Sequence, residues 1–166
     1  LRKVMDRARP GCLIDLHSWD HFVPEYGRNS SASLFMEHFP FINSLWFGEI
    51  YDYNETPDYW LIELSGIPYG LFGEMLQDGG NIWRGMVYGM TNRLKFFGDP
   101  RPIWKLWDNF GIEKSKMLGY WSKRCPVKTD DNNIKATAYV RDGKTLIAIG
   151  NWAEKKEISL AIDWDA

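Results

Sequence analysis

The chain has 166 residues, 45% of them hydrophobic, which is enough to bury one sizeable core or one core and part of a second. Its 20 basic and 22 acidic residues give a formal net charge of −2 without a basic stripe, so the usual charge signature of nucleic-acid binding is absent. No apolar run approaches the ~20 residues of a membrane-spanning helix, and we therefore expect neither a nucleic acid nor a membrane as partner.

The first residues are typical of the end of a helix. Apolar side chains recur at helical spacing at Leu1, Val4, Met5 and Ala8. Pro10 and Gly11 end this helix. Because the chain starts with Leu1 and inside a helical pattern, we interpret it as a fragment of a longer chain.

Three short apolar segments alternate with three helical ones. The strands are predicted at residues 12–18, 42–49 and 67–75, and the helices at about residues 29–38, 57–65 and 82–95. Thr56 caps the second helix and Gly66 ends it. This alternation predicts parallel βαβ units and hence an α/β fold. Three units are too few for a closed barrel, but they fit the last three of a (β/α)8 TIM-type barrel.

The pattern changes after Gly98. A proline-broken connector with two short helical pieces comes first, followed by strands in which apolar and polar residues alternate. One face is predicted to carry Ala136, Ala138 and Val140, and the other Lys135, Thr137 and Tyr139. Asp142-Gly143 predicts a two-residue hairpin turn. We therefore divide the chain into a barrel part with its helical connector, residues 1–121, and the beginning of an antiparallel β-sandwich domain, residues 122–166.

Polar side chains follow the predicted strands where each one ends. Glu49 comes directly after the apolar pair Trp46 and Phe47, His17 lies at the end of the first strand, and Glu74 lies near the end of the third. Functional groups of such barrels lie at the carboxyl ends of the strands. The sequence therefore predicts a functional rim at this edge of the sheet.

Several long motifs resemble one family. The strings MEHFPFINSLWFGE, YNETPDYWLIELSGIPYGLFGEML and NIWRGMVYGMTNR, then IWKLWDNFGI, MLGYW and KATAYVRDGKTLIAIGNW, are similar to the carboxyl-terminal half of bacterial glycoside hydrolase-like proteins. Those proteins have a (β/α)8 barrel followed by a β-sandwich. The resemblance implies a carbohydrate substrate, hydrolysis of glycosidic bonds and an extracellular or periplasmic location.

That family is distantly similar to retaining β-N-acetylhexosaminidases, in which an adjacent Asp-Glu pair assists the acetamido group of the substrate. No Asp-Glu or Glu-Asp dipeptide occurs in this chain. The resemblance thus implies that the catalytic pair lies upstream of Leu1. The partner that completes the barrel is then the missing amino-terminal part of the same chain.

Glycoside hydrolysis needs two carboxyl groups on either side of the scissile bond. Glu49 is the catalytic candidate, because apolar neighbours raise the pKa of a carboxyl group; its alternatives are direct contact with the substrate and a structural ion pair or loop anchor. The substrate-binding candidates are His17, Trp19, Asp20, Trp46, Tyr51, Asp52, Glu74 and Arg84. Asp52 alternatively caps a turn, and Arg84 either binds an anion near the start of the last barrel helix or pairs with Glu74.

The aromatic residues, 16% of the chain, offer flat faces for a sugar ring. Those considered for stacking, with core packing as the alternative, are Trp19, Trp46, Tyr51, Tyr53 and Trp83. Asp15 is predicted to be a buried carboxylate paired with an arginine of a neighbouring strand. The run from His17 to His21 does not match a metal-ligand spacing, so we predict no metal and no other cofactor.

Two other function classes stay open. A non-catalytic carbohydrate-binding or structural module would keep the same fold, since a fold does not determine an activity. A phosphate-handling barrel enzyme has only Gly79-Gly80 in its favour.

Overall fold

The structure of the protein, a computed structural model, describes residues 1–17, 22–23, 27–28, 35–46, 53–73, 80–92, 98–155 and 157–164. The chain forms two compact units, Leu1–Gln77 and Asp78–Ala166, each with its own hydrophobic core. Within the described ranges, no helix has the length and apolar character needed to cross a membrane.

A parallel sheet organises the first unit. In chain order, the described strands of this unit are β1 (Asp15–His17), β2 (Phe22–Val23), β3 (Gly27–Arg28), β4 (Ser44–Trp46) and β5 (Phe72–Gly73). β1 pairs with β4 and β4 pairs with β5, both in parallel. β2 and β3 form a short antiparallel pair that the sequence analysis does not anticipate. The predicted parallel pairing is thus present, and each of the three strands begins later than predicted.

The helical segments of this unit depart from regular α-helices in their described parts. The segment predicted to end at about His38 is, in its described part, a 3-10 helix at Met36–Phe41 that turns Phe39 into the core. The next begins as an α-helix at Pro57–Tyr59 and continues as a π-helix at Trp60–Leu64. Its predicted cap is confirmed, because the Tyr59 N–H donates to Thr56 Oγ1 at 3.3 Å. Gly66, with φ of 63°, follows this helix as predicted.

The third predicted strand, residues 67–75, is wrong in its first half. Residues Ile67–Tyr69 form a 3-10 turn between Gly66 and Gly70, which both have positive φ, so the strand begins only at Phe72. One core cluster of this unit holds Ile14, Phe39, Ile42, Leu45 and Leu71. It therefore joins the starts of the strands to the 3-10 helix.

Arg2 ties the amino-terminal helix, Arg2–Ala8, to the strands. Its guanidinium donates to the carbonyls of Cys12 and Phe41 and, at 2.6 Å, to Asn43 Oδ1. The same Asn43 oxygen accepts the N–H of Ile14 at 2.9 Å. The Asn43 side chain, just before β4, thus holds both the amino-terminal helix, through Arg2, and the segment that leads into β1, through Ile14.

The second unit begins with a helical segment that is shorter than the predicted 82–95. It is an α-helix at Ile82–Gly85 followed by a 3-10 turn at Met86–Tyr88. The prediction of a helix to Lys95 is wrong, because Gly89, with φ of 72°, ends the segment. Met86 and Val87 are buried, whereas Trp83 is 51% exposed.

The connector and the strands follow the predicted order. The connector holds an α-helix at Arg101–Phe110 and a 3-10 turn at Ile112–Lys114, which matches the two predicted helical pieces. The strands are β6 (Lys116–Leu118), β7 (Val127–Thr129), β8 (Ile134–Arg141), β9 (Lys144–Asn151) and β10 (Leu160–Ile162). They form two antiparallel sheets, ordered β6-β8-β9 and β10-β7.

β8 is the centre of this unit and is covered on both faces. Ala136 and Ala138 belong to one core cluster, and Tyr139 belongs to another with Met86. The predicted facing of these residues is confirmed. The hairpin turn is confirmed too, because Arg141 pairs with Lys144 around Asp142-Gly143 and Gly143 has φ of 71°.

Candidate functional site

The candidate site is the edge of the parallel sheet at which its strands end. β1 ends at His17 and β4 ends at Trp46, and these two residues are register partners. β5 ends at Gly73, which is paired with Leu45. The described parts of the three strands therefore run in parallel towards one edge of the sheet. The carboxyl-terminal edge is the face on which parallel α/β folds bind their ligands.

Most predicted site residues follow directly after these strand ends. Those outside the described residues are Trp19, Asp20, Glu49, Tyr51, Asp52 and Glu74. Their assignments stay predictions. Trp46 is described as the last residue of β4, and its ring stays a predicted sugar contact.

Asp15 and His17 are the first and last residues of β1. All three residues of β1 are exposed in this chain. The prediction for Asp15 is wrong in both respects, since its carboxylate is exposed and accepts a hydrogen bond from Ser44 Oγ rather than from an arginine. A short polar partner on the adjacent strand suffices for an exposed carboxylate, because such a group keeps its hydration and needs no buried counter-charge.

Arg84 lies in the second unit and is tied to β9. Its Nη2 donates to the Asn151 carbonyl at 2.6 Å, and its guanidinium carbon lies 4.7 Å from the centre of the Trp152 ring. Burial lowers the pKa of Arg84 below its usual range. These contacts stabilise the helix against the sheet, a role that the sequence analysis does not anticipate, and substrate binding by Arg84 stays a prediction.

The anion site considered for Arg84 at the start of its helix is not supported by the described contacts. Asn81 Oδ1 accepts the N–H groups of both Trp83, at 3.0 Å, and Arg84, at 3.1 Å. The capping side chain therefore already accepts the hydrogen bonds of two backbone amides that an anion at this helix start would use.

Several aromatic rings form cores rather than sugar platforms. Tyr53 is buried, and its ring centre lies 5.5 Å from that of Trp60, so core packing accounts for it. In the second unit Tyr88 stacks parallel to Trp121 with 5.9 Å between ring centres and contacts Trp152 edge-on. The quoted motifs MLGYW and GNW supply Trp121 and Trp152, and their tryptophans signal this cluster.

In the part of the chain that the structure describes, no three His, Cys, Asp or Glu side chains come together in a way that could hold a metal ion. Asp20 and His21, which belong to the HSWDH run, lie outside it.

Two family models match the chain. Residues 1–95 match the TIM-barrel domain of glycoside hydrolase 123, and residues 99–166 match the C-terminal domain of glycoside hydrolase 123. Comparison with curated proteins and with solved structures gave no match. The first model covers the parallel sheet and the helical segment that ends at Tyr88, and the second covers the connector and both antiparallel sheets.

Proposed function

The chain belongs to glycoside hydrolase family 123, and we propose on that basis that it supplies the last three βα units of a (β/α)8 barrel that hydrolyses glycosidic bonds. The antiparallel strands that follow the connector are the beginning of a β-sandwich. The substrate is a carbohydrate, as the family implies.

The observation that carries the proposal is the parallel pairing of β1 with β4 and of β4 with β5, which directs their carboxyl ends to one edge of the sheet. The predicted rim residues follow these strands in the sequence. Glu49 follows β4 by three residues, and Glu74 follows β5 directly. Loops at this edge can present carboxylates and aromatic rings to one sugar, which is the combination that glycoside hydrolysis requires.

We assign Glu49 to the substrate, as a charged hydrogen-bond acceptor for a sugar hydroxyl. The catalytic Asp-Glu pair of a substrate-assisted mechanism, as in retaining β-N-acetylhexosaminidases, would lie on earlier strands of the same barrel in a bacterial enzyme. The amino-terminal part of the protein is therefore the partner of this segment. Trp46 would stack on the sugar ring beside Glu49.

The test is steady-state kinetics of the full-length enzyme on a panel of aryl glycosides, with Glu49→Gln compared with Glu157→Gln. Glu157 is exposed in the second unit and serves as the matched control. Loss of one charged hydrogen bond, about 1.5–3 kcal/mol, lowers kcat/KM roughly 10–150-fold. Loss of a general acid or base costs about 10²–10⁴-fold. We expect the smaller loss for Glu49→Gln and none for Glu157→Gln.

Trp46→Ala separates stacking from core packing. A ring that stacks on the sugar mainly raises KM when removed, whereas a core ring mainly lowers Tm. Wild-type kinetics in Glu49→Gln would refute its assignment. A full-length enzyme that binds sugars without hydrolysing any aryl glycoside would instead indicate a non-catalytic carbohydrate-binding module.

A further inference from the structure

A groove of about 710 Å³ lies in the second unit, beside β6 and the end of β8. Lys116 and Leu118 of β6 line it together with Val140 and Arg141 of β8. Its volume is within the ~300–1,000 Å³ range of small-ligand sites. Since both strands belong to one antiparallel sheet, the groove has a rigid floor with an apolar strip formed by Leu118 and Val140.

The groove is strongly basic although the chain is slightly acidic. Lys114, Lys116, Arg124 and Arg141 line it, against the single carboxylate of Asp142 among its lining residues. These cations are spread over the sequence from residue 114 to residue 141, so no basic run appears in it. Folding therefore creates a positive site that the sequence pattern conceals.

The cations differ in how their charge is used. Among the described residues, neither Lys116 nor Arg124 forms an ion pair, and both side chains are exposed. Lys114 lies 4.0 Å from Glu113, a long contact between exposed groups. The positive charge of Lys116 and Arg124 is therefore available to a ligand.

Arg141 is held in place and adds a fixed charge to the wall. Its Nη1 donates to the carbonyl of Phe110, and the guanidinium lies 5.9 Å from the centre of the Phe110 ring. A side chain that is already ordered loses little entropy when a ligand binds.

The positive surface continues into a second groove of about 320 Å³ that shares Val140 and Arg141. This groove adds Lys144 and Trp164, with Asp163 as its carboxylate. Trp164 is 78% exposed, which is unusual for so large an apolar ring. A flat exposed ring beside cations suits a ligand with both a ring face and negative charge.

We propose that these two grooves together form a binding site for an acidic saccharide, a sugar chain that carries carboxylate or sulfate groups. Lys116 and Arg124 bind the anionic groups, and Trp164 stacks on a sugar ring. The carbohydrate class of the ligand rests on the proposed function, but the site lies in the antiparallel domain and does not use the strand-end edge. It would hold an acidic glycan independently of catalysis.

Isothermal titration calorimetry of the full-length protein with a galacturonate tetramer tests the site. The fully methyl-esterified tetramer is the uncharged comparison, and a sulfated dextran tetramer distinguishes sulfate from carboxylate. We expect binding of at least one anionic tetramer, weakening as salt is raised from 50 to 200 mM in the manner of exposed charges. The esterified tetramer should bind at least tenfold more weakly.

The double variant Lys116→Gln with Arg124→Gln should lower the affinity roughly tenfold, as two exposed charge contacts would. The matched control, Lys105→Gln with Lys155→Gln, removes the same charge from exposed positions outside both grooves and should leave the affinity unchanged. Trp164→Ala should weaken binding of the tetramer but leave binding of inorganic sulfate unchanged.

Four results would overturn the proposal. They are no binding of either anionic tetramer, equal binding of the esterified tetramer, equal losses in the two double variants, and tighter binding of an oligothymidylate of the same charge. Because the measurement needs no hydrolysis, inactivity toward aryl glycosides with intact tetramer binding would reject the proposed function alone. A protein that hydrolyses aryl glycosides but does not bind the tetramers would reject this site alone.

Discussion

Two buried hydroxyl groups join the segment Met86–Tyr88 to β8, and removing them gives a direct measure of this connection. Thr137 Oγ1 donates to the Val87 carbonyl at 2.7 Å, and the Tyr139 hydroxyl donates to the Met86 carbonyl at 2.5 Å. Both side chains are buried. Thr137→Val and Tyr139→Phe remove each donor with little change of shape.

The two changes should differ in size. The Met86 carbonyl also accepts the Gly89 N–H at 3.3 Å and so keeps a partner in Tyr139→Phe. The Val87 carbonyl accepts no second hydrogen bond from the described backbone N–H groups. We expect Tyr139→Phe to cost about 0.5–1.5 kcal/mol and Thr137→Val about 1–3 kcal/mol, because the latter leaves a buried acceptor unsatisfied.

Thermal and urea unfolding followed by circular dichroism measure both variants. For a chain of this length each 1 kcal/mol lowers Tm by about 2–4 °C. The double variant should cost less than the sum, because both bonds hold one short segment and the first loss loosens the second. Thr145→Val, at an exposed position on β9, is the control and should stay within about 0.5 kcal/mol of wild type.

Alkaline pH provides a second measurement for Tyr139. Burial raises the pKa of Tyr139 in the folded protein above its usual range. The folded state thus holds this proton more tightly, so the contribution to stability is full below about pH 10 and is lost as pH rises further. Tyr139→Phe should reduce the alkaline loss of Tm. Stabilities within 0.5 kcal/mol of wild type for both variants, or strict additivity, would contradict this account of the connection.

Three further predictions concern the two units. A chain that starts at residue 99 should be far less stable than one that starts at residue 78, because it lacks Met86 and Val87, which pack on β8 and β9; urea unfolding of the two compares them directly. Gly150→Ala should lower Tm more than Gly143→Ala does. At Gly150 the new Cβ would lie 2.5 Å from the Trp152 ring, whereas at Gly143 it meets open space and adds only the backbone strain of φ at 71°, about 1 kcal/mol. Asn43→Ala should cost about 1–3 kcal/mol in the first unit and speed tryptic cleavage after Arg7, because Arg2 and Ile14 lose their common acceptor; unchanged cleavage would mean that Arg2 does not hold the helix.

The features that were predictable from the sequence depend on neighbours in the chain. The Thr56 cap and the Asp142-Gly143 turn use residues one to three positions apart, and both are present. The alternation in β8 assigns its two faces for the same reason. Gly89 shows the limit of periodicity, since apolar spacing continues past a glycine that ends the helix.

Contacts between distant residues were not predictable. Arg84 donates to a carbonyl 67 residues further along the chain, and no local pattern near Arg84 distinguishes that partner from Glu74 or an anion. The basic groove has the same character, because its cations come from the 3-10 turn before β6, from β6, from the segment before β7 and from the end of β8. Of the candidate rim, the common strand-end edge was predictable, because parallel strands place their carboxyl ends together.

The hydrogen bonds from β8 to Met86 and Val87 also have a consequence for protein synthesis. Val87 precedes Thr137 by 50 residues, so at roughly 5–20 residues per second the ribosome adds the partner strand about 2.5–10 s later. A helical turn forms within about a microsecond, so local folding does not limit this step. Met86 and Val87 therefore stay uncovered on the nascent chain until the hairpin of β8 and β9 has left the ribosome, and the order of synthesis determines when the end of the barrel segment acquires its final packing.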